Sequence, residues 1–556
     1  MKVTPQGWRV ALKWVRHAAL ISSFVFLAHP SALAQDPLPV LAHIGPWPEA
    51  SNLIGYQGRV WLVNSVKWRN HNSADIYTYD PASGDLHYER HLFSQDAGRP
   101  AILNGLLYWP FEDNRFSLGW GQFIITDGTD WRFRTIPTGQ AFHSHAMSVV
   151  DKRLVAANSA WRAGLDVSED RGLTWRRIYE HPTPERRVSR IVDLFALGNR
   201  TVGPFSGPNG RRLLIVEDES VADLSGWPRN RSLHGAAMYK GWLYGLVGDD
   251  DGTSVWRSDG QRSERVAPPR AGWGATGLAA GEDGLWAVGN ALDGGALWFS
   301  VDGADWVVKH ALPGGTPREV LIVGGQPYVA GAGDDGRGIL WGQPPGPAAP
   351  DLAVEAPPAL PAGPGAEVDW AAAEARLDAA LIDPETYTGR GNALRDLVLE
   401  FAQAEPPPEF FATRLARPIP AVTLSLFGGA IQVSAVSMAR WMLLWGMALA
   451  GTGEVPLDLL VEPWDVPANR PEKYFVPQLA AMWAVAATGQ NDGATIAALI
   501  ERLERTDDPL WLRGDAVGAL SAVTGRRFGY DAAAWRKWWS EAASRWVVVR
   551  PARSRG

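Results

Sequence analysis

The nine residues VSEDRGLTW at 167–175 decide the fold, because related stretches recur along the chain. ITDGTDW at 125–131, RSDG at 257–260 and SVDGADW at 300–306 share its turn, and TYDPASG at 78–84 and VEDES at 216–220 are degenerate forms. The spacings are 44, 44, 88 and 43 residues between Gly84, Gly128, Gly172, Gly260 and Gly303. VEDES falls within the 88-residue interval, so the opening stretch is one copy of a repeat of about 44 residues.

A second marker, a small turn followed by an apolar strand, recurs independently, as in QGRVWLV at 57–63 and KGWLYGL at 240–246. Its spacings are 47, 47, 46, 43, 43 and 41 residues between Gly58, Gly105, Lys152, Gly198, Gly241, Gly284 and Gly325. Short strand-forming runs and Gly/Asp turns at this period predict a β-propeller with one four-stranded blade per repeat. Seven markers predict seven blades, and a six-blade or eight-blade ring is the alternative if the repeats are out of phase.

The two ends of the repeat array indicate how the ring closes. After ILW at 339–341 the chain enters QPPGPAAP, which leaves the last blade without a fourth strand. PVLAHIGPW at 39–47 precedes the first repeat and can supply that strand, which would remove an exposed sheet edge. We therefore predict a propeller domain at 35–342, closed by its N-terminal strand.

The first 34 residues have the pattern of a signal peptide. Four basic residues precede or flank the start of an apolar run at 18–28, and ALA at 32–34 is a small-residue cleavage pattern. Because the apolar run is too short for a bilayer span, we expect cleavage near Ala34 and a periplasmic or secreted protein. The chain has no cysteine, so an exported form relies on its cores instead of disulfides.

Charge and motif content exclude several function classes. The formal net charge is -7 at pH 7, and removal of residues 1–34 takes away four positive charges and no negative ones. A nucleic-acid binder would need a basic face, so we expect no nucleic-acid partner. The sequence contains no phosphate-binding loop, HExxH helix or GxSxG elbow.

The opening stretch resembles the Asp-box of sialidase-type (BNR) propellers, S-x-D-x-G-x-x-W. The matching residues are Ser168, Asp170, Gly172 and Trp175, with a shortened copy in Ser300, Asp302, Gly303 and Trp306. The Ser and Asp oxygens can accept hydrogen bonds from the turn's own backbone, the glycine permits a positive φ, and the tryptophan packs beneath the hairpin. In that family the boxes lie on outer hairpins, so the resemblance implies a structural role.

Function on a propeller usually belongs to the mouth of the central channel, where the innermost strands begin. The start of each innermost strand is expected about seven residues before its turn marker. The positions at and near these starts include six arginine and histidine residues: Arg99, His143, His145, Arg190, His234 and Arg318. Arginine forks suit carboxylate or sulfate groups, so we predict that this set binds a glycan or polypeptide. The alternative is that these are loop-end residues bonded to neighbouring blades.

The pair His143-x-His145 could also bind a metal ion, with His234 as a third nitrogen ligand. No carboxylate stands at a defined spacing from these residues. The sequence therefore predicts neither a metal site nor a cofactor.

A sialidase-like glycoside hydrolase is the alternative to a non-enzymatic binding or scaffold protein. The family resemblance implies an arginine triad, a Tyr/Glu pair and an Asp, but no Tyr/Glu pair can be placed on matching positions. FRTIP at 133–137 also follows a box tryptophan instead of opening the first blade. Asp96 and Glu319 are acids near the predicted mouth, as two-carboxylate hydrolysis would need, but the catalytic residues stay unknown.

The composition changes after the repeats. Eight prolines between 343 and 364 predict an extended linker at 343–367. Helical periodicity then predicts helices at 368–381, 391–404, 410–415, 473–488, 494–505, 510–523 and 532–544. DDPLWLRGDAVGALSAVTG at 507–525 resembles the end of HEAT-like repeats, which implies that the α-helical domain at 368–556 engages a protein partner or is structural.

One stretch at 418–439 has no charge and is long enough to span a membrane. Its polar residues and the Gly428-Gly429 pair favour two buried helices, so we do not expect 418–450 to cross a membrane. The complete prediction is a multidomain β + α protein, in which a seven-bladed β-propeller precedes an all-α HEAT-like domain.

Overall fold

The computed structural model describes residues 36–66, 73–114, 119–141, 143–184, 187–270, 273–291, 293–343, 354–358, 368–387, 393–426, 431–463 and 476–548. The expected signal peptide at 1–34 lies outside these residues, as does most of the expected linker. Within the described residues, a propeller-type β domain is followed by a helical region.

The propeller consists of sheets built mainly from consecutive antiparallel strands. The first strand of the chain, β1 (Val40–Ile44), belongs to the last sheet. The first sheet is β2 (Glu49–Tyr56), β3 (Arg59–Ser65), β4 (Ala74–Tyr79) and β5 (Leu86–Leu92). The second has nine strands: β6 (Ser94–Ala97), β7 (Ala101–Leu103), β8 (Leu106–Asn114), β9 (Gly119–Thr126), β10 (Trp131–Ala141), β11 (His143–Val150), β12 (Arg153–Ser159), β13 (Ala163–Ser168) and β14 (Arg176–Glu180).

Four further sheets complete the domain. The next has five strands: β15 (Arg190–Ile191), β16 (Phe195–Leu197), β17 (Arg200–Gly207), β18 (Gly210–Glu217) and β19 (Ser220–Asp223). Two four-stranded sheets follow: β20 (Ser232–Tyr239), β21 (Trp242–Asp249), β22 (Gly252–Ser258) and β23 (Ser263–Arg270), then β24 (Gly274–Ala280), β25 (Leu285–Ala291), β26 (Gly294–Ser300) and β27 (Val307–Leu312). The last combines β28 (Gly315–Val323), β29 (Gln326–Gly333) and β30 (Gly338–Gly342) with β1.

The sheets therefore comprise five separate blades of four or five strands and one nine-stranded sheet, where the sequence predicts seven separate blades. In the nine-stranded sheet the order is β10-β9-β8-β11-β12-β13-β14, with β6 and β7 also paired to β8. Two blade-like runs are joined there because His143 of β11 pairs with Glu112 of β8. At the other end of the array, β1 pairs antiparallel with β30, and Ile44 lies opposite Gly338.

The two turns with the longest repeat matches are held by their own side chains. Ser168 Oγ accepts a hydrogen bond from the Gly172 N–H at 2.8 Å, and Ser300 Oγ accepts one from the Gly303 N–H at 2.8 Å. Gly172 and Gly303 have φ values of 87° and 83°, which a residue with a Cβ rarely adopts. The first turn joins β13 to β14, which end the nine-stranded sheet, and the second joins β26 to β27, the third and fourth strands of their sheet.

The helical region follows the described residues at 354–358. Its α-helices are α1 (Trp370–Ile382), α2 (Ala393–Gln403), α3 (Glu409–Leu415), α4 (Ala435–Ala450), α5 (Asp458–Val461), α6 (Pro477–Thr488), α7 (Gly493–Glu504), α8 (Leu510–Thr524) and α9 (Ala532–Ala542), with 3-10 turns at Pro384–Tyr387 and Ala543–Arg545. Asp369, Asp492 and Asp531 cap α1, α7 and α9 by accepting backbone hydrogen bonds. The seven predicted helices coincide with observed ones, and their ends differ by at most four residues.

The uncharged stretch beginning at 418 does not form the expected pair of helices. A two-stranded sheet of β31 (Thr423–Leu426) and β32 (Ile431–Ser434) precedes α4. Polar and apolar residues alternate in TLSL and IQVS, and this period of two favours strands over helices. Among the described residues, no helix is both long and apolar enough to cross a membrane.

The helical region packs directly on the propeller. Helix α8 lies against β5, and the Ser73 hydroxyl donates to the Trp511 carbonyl at 3.0 Å. Trp47 meets Tyr530 edge to face with ring centroids 6.5 Å apart, and it belongs to the same apolar core as the helices. The two parts of the chain therefore share a core.

Candidate functional site

The predicted mouth is built where innermost strands approach each other closely. Gly98 directly follows β6, and a Cβ at this position would lie 1.9 Å from the His145 carbonyl oxygen. The absence of a side chain lets the Arg99 N–H donate to that carbonyl at 3.0 Å, while Met147 N–H donates to the Arg99 carbonyl at 2.9 Å. Arg99 and His145 are thus fixed on one connected stretch of backbone.

The side chain of Arg99 is paired with Asp193, an acid that no sequence pattern marks. Its guanidinium forms an ion pair with Asp193, in which Nη2 lies 3.0 Å from Oδ2, and it stacks over Phe195 at 4.8 Å from the ring centroid. Asp193 is fixed in turn, because its Oδ1 accepts the Leu194 N–H at 2.8 Å. The pair joins the segment between β6 and β7 to the segment between β15 and β16.

His143, His145 and Arg190 lie together at the junction of β8 and β11. Arg190 Nη2 and His143 Nε2 are 3.1 Å apart, and the two imidazoles stack with centroids 5.2 Å apart. Glu112 Oε1 lies 3.8 Å from Nδ1 of both histidines. Burial, followed by the neighbouring His143 and Arg190, holds the pKa of His145 well below its usual range, so this imidazole is neutral near pH 7.

The two remaining predicted residues have other surroundings. Arg318 Nη2 lies 3.7 Å from Glu49 Oε1, and the Arg318 side chain is 44% exposed. His234 packs over the backbone of Gly248 in β21, and burial followed by the positive charge of Arg211 lowers its pKa. His234 is not a member of the Glu112, His143 and His145 group, so the nitrogen triad considered from the sequence is not formed.

The two acids considered for hydrolysis are both hydrogen bonded within the protein. Asp96 is buried, and its Oδ1 accepts the Ser65 hydroxyl and the Ala97 N–H, each at 2.9 Å. Glu319 Oε2 accepts the Asn52 N–H at 2.5 Å, which links β28 to β2. Asp96 is thereby linked to β3, and Glu319 to β2.

Three acids at these contacts are not marked by the sequence: Glu112, Asp193 and Glu49. Each is an acid that meets a predicted basic or imidazole side chain only after strands distant in sequence are aligned. Glu112 is the clearest case, because it precedes His143 by 31 residues and pairs with it across two strands. Knowledge of which β8 residues lie opposite β11 would have identified Glu112. No local sequence motif marks this residue.

No known protein family matches the chain, and no curated protein matches it. Among solved structures, it is similar to the Neurospora crassa Pan2 WD40 domain, with 10% identity, a TM-score of 0.38, and coverage of 56% of this chain and 100% of that chain. The computationally designed Ika8 protein gives 12% identity, a TM-score of 0.37, and coverage of 55% and 99%. A candidate gluconolactonase gives 14% identity, a TM-score of 0.33, and coverage of 57% and 97%.

Proposed function

We propose that this chain is an exported, non-enzymatic binding or scaffold protein whose propeller mouth binds a glycan or polypeptide bearing an anionic group. The helical region, which resembles HEAT-like repeats, engages a second partner through a face other than the one that packs on the propeller. Export rests on the signal-like pattern at 1–34, and the binding role rests on the mouth.

We propose seven blades of Asp-box type for this propeller, with the nine-stranded sheet counted as two. Support comes from the innermost strands, which contact one another in the order β7, β11, β16, β20, β24, β28 and β2. The first and second blades are joined by the Asn52 side chain, which donates to the Ala97 carbonyl. The hydrogen bonds within the turns at Ser168 and Ser300 support the Asp-box assignment.

The Arg99–Asp193 ion pair is the observation that carries the binding role. In a seven-bladed ring Arg99 lies on the second blade and Asp193 on the fourth, so the pair passes the intervening third blade at the mouth. Asn52 and Glu319 add a further bridge between the first and last blades. A mouth crossed by such side chains favours a shallow recognition surface over a deep cleft with opposed catalytic carboxylates.

Two arginine side chains remain partly accessible at this surface. The side chains of Arg99 and Arg318 are 38% and 44% exposed, and each is held near a carboxylate that orients it. Arginine forks can form bidentate hydrogen bonds with carboxylate or sulfate groups. We therefore propose that a uronic acid, sulfated sugar or acidic peptide contacts Arg318 first.

Arrays of acidic glycans and acidic peptides, probed with the chain from residue 35 onward, test this function. We expect binding that weakens at least tenfold in Arg318→Ala, because one charge-assisted hydrogen bond to an anion contributes about 1.5 to 3 kcal/mol. Arg176→Ala is the matched control, since Arg176 is an exposed arginine on the outer strand β14. Equal weakening in both variants, or no binding to any acidic probe, contradicts the proposal.

A further inference from the structure

Three potential metal ligands converge at the junction of β8 and β11. Glu112 Oε1 is 3.8 Å from His143 Nδ1 and 3.8 Å from His145 Nδ1. One ligand atom from each residue lies within 4.8 Å of those from the other two. Tetrahedral Zn²⁺ coordination places such atoms about 3.4 Å apart, so modest side-chain rotations would bring them to binding distance.

We propose that Glu112, His143 and His145 form a binding site for one divalent transition-metal ion. Two imidazoles and one carboxylate are a donor set that suits Zn²⁺ and its neighbours in the series, and three protein ligands leave a position open for another group. This inference goes beyond the proposed recognition of acidic ligands and does not depend on it.

The backbone gives this group a defined arrangement. His143 and Glu112 are paired residues on adjacent strands, and His145 follows on the same strand, with its ring stacked on that of His143. The side chains of Glu112, His143 and His145 are 26%, 16% and 9% exposed, so an ion can reach them from solvent. Ligands held on paired strands require little ordering when the ion binds.

The surroundings of His145 suit ligation through Nδ1. Its Nε2 lies 3.2 Å from the Ser159 hydroxyl oxygen on β12. When Nδ1 binds a metal ion, the neutral ring carries its proton on Nε2 and can donate it to that oxygen. An outer hydrogen bond of this kind fixes the tautomer and the ring orientation of a metal ligand.

Arg190 competes with the metal ion for His143. Its guanidinium donates to His143 Nε2, which therefore presents a lone pair and leaves the proton on Nδ1, facing Glu112. Ligation through Nδ1 requires the other tautomer, with the proton on Nε2. Arg190 must then turn away, and its removal is expected to strengthen metal binding.

Isothermal titration calorimetry tests the proposal. Zn²⁺ is titrated into the metal-stripped full chain with no glycan or peptide present. We expect one equivalent to bind, with affinity reduced at least about tenfold in Glu112→Gln and in His145→Asn. Arg190→Gln is expected to bind more tightly than the unsubstituted chain. Co²⁺ should show a visible absorption band that the Glu112→Gln variant loses.

His43→Asn is the matched control, because His43 Nδ1 also lies 3.1 Å from a carboxylate, that of Asp335. Unchanged circular dichroism and melting temperature show that each variant is folded. Absence of stoichiometric binding, or equal binding by Glu112→Gln, His145→Asn and His43→Asn, overturns the site. Since the titration contains no acidic probe, its failure leaves the proposed recognition function standing.

Discussion

His91 on β5 and Asp515 on α8 are joined across the interface between the propeller and the helical region, with Nε2 2.9 Å from Oδ1. The other imidazole nitrogen, Nδ1, lies 2.9 Å from Asp75 Oδ1 on β4. All three side chains are fully buried. Burial opposes the charge of His91, but hydrogen bonds to Asp515 and then Asp75 raise its pKa above the usual value.

Loss of the imidazole is expected to loosen this interface. His91→Leu leaves the carboxyl groups of Asp75 and Asp515 buried without the imidazole between them, and leaving a buried charge without its partner costs about 3 to 5 kcal/mol. Hydrogen exchange should then increase in α8 and β5 before it increases in the outer blades, and the melting temperature should fall. Arg376→Ala is the control, because its exposed pair with Glu400 contributes little. Equal exchange in the two variants would contradict this role.

The same histidine predicts how stability depends on pH. Because its folded pKa is raised, the stabilisation is fully present below the unfolded value of about 6.5 and is lost as the pH rises through the folded value. His91 contacts the carboxyl groups of Asp75 and Asp515. Asp75 Oδ2 also accepts the Tyr530 hydroxyl at 2.9 Å and the Trp47 indole N–H at 2.8 Å. The difference in melting temperature between the unsubstituted chain and His91→Leu should shrink as the pH is raised above 6.5. A difference that is constant or grows would show that the imidazole is not protonated.

Helix α8 packs against β5 through glycine residues. Replacing one of them by alanine is therefore expected to destabilise the protein, although alanine by itself favours a helix more than glycine does. Alanine normally stabilises a helix by about 0.8 to 1.0 kcal/mol relative to glycine. A Cβ at Gly518 would lie 2.9 Å from His91 Cδ2 and 3.0 Å from its Cβ, so Gly518→Ala should lower the melting temperature. Gly493→Ala, where the nearest atom is 3.6 Å away, should leave it unchanged or raise it. A stabilised Gly518→Ala would indicate a looser interface.

The turn at 167–175 is predicted to serve stability alone. Asp170 Oδ1 accepts the Thr174 N–H at 2.9 Å and the Ser168 hydroxyl at 2.8 Å. Asp170→Ala should therefore reduce the free energy of unfolding by about 1 kcal/mol, measured by urea titration, while ligand binding stays the same. Asp305→Ala, an exposed acid in the related turn, is expected to change neither. Loss of binding in Asp170→Ala would point to a direct role for this hairpin.

Most of the fold could be predicted from local sequence patterns. The repeat period identified a propeller because each blade needs similar turns, and periods of 3.6 residues located the helices. Within the stretch at 418–439, strands formed at 423–426 and 431–434 where helices were predicted, because a short apolar run does not by itself distinguish a strand from a buried helix.

The contacts that define the site could not be predicted in the same way. His91 and Asp515 are 424 residues apart, and Arg99 and Asp193 are 94 residues apart. Glu112 reaches the two histidines only through the register of β8 against β11. Pairings between distant strands depend on tertiary packing, and a single sequence contains no local signal for them.

The most direct test of the central claim is to follow one acidic glycan through both binding and turnover on the same sample. The affinity of the chain for that glycan is measured by calorimetry. After prolonged incubation, the glycan is recovered and its molecular mass is measured by mass spectrometry. If the propeller mouth only binds the glycan, binding should be saturable and weaker in Arg318→Ala, and the glycan should be recovered intact. Recovery of a cleaved glycan from the unsubstituted chain, but of an intact glycan from the Glu319→Gln variant, would contradict this account. That result would identify a glycoside hydrolase.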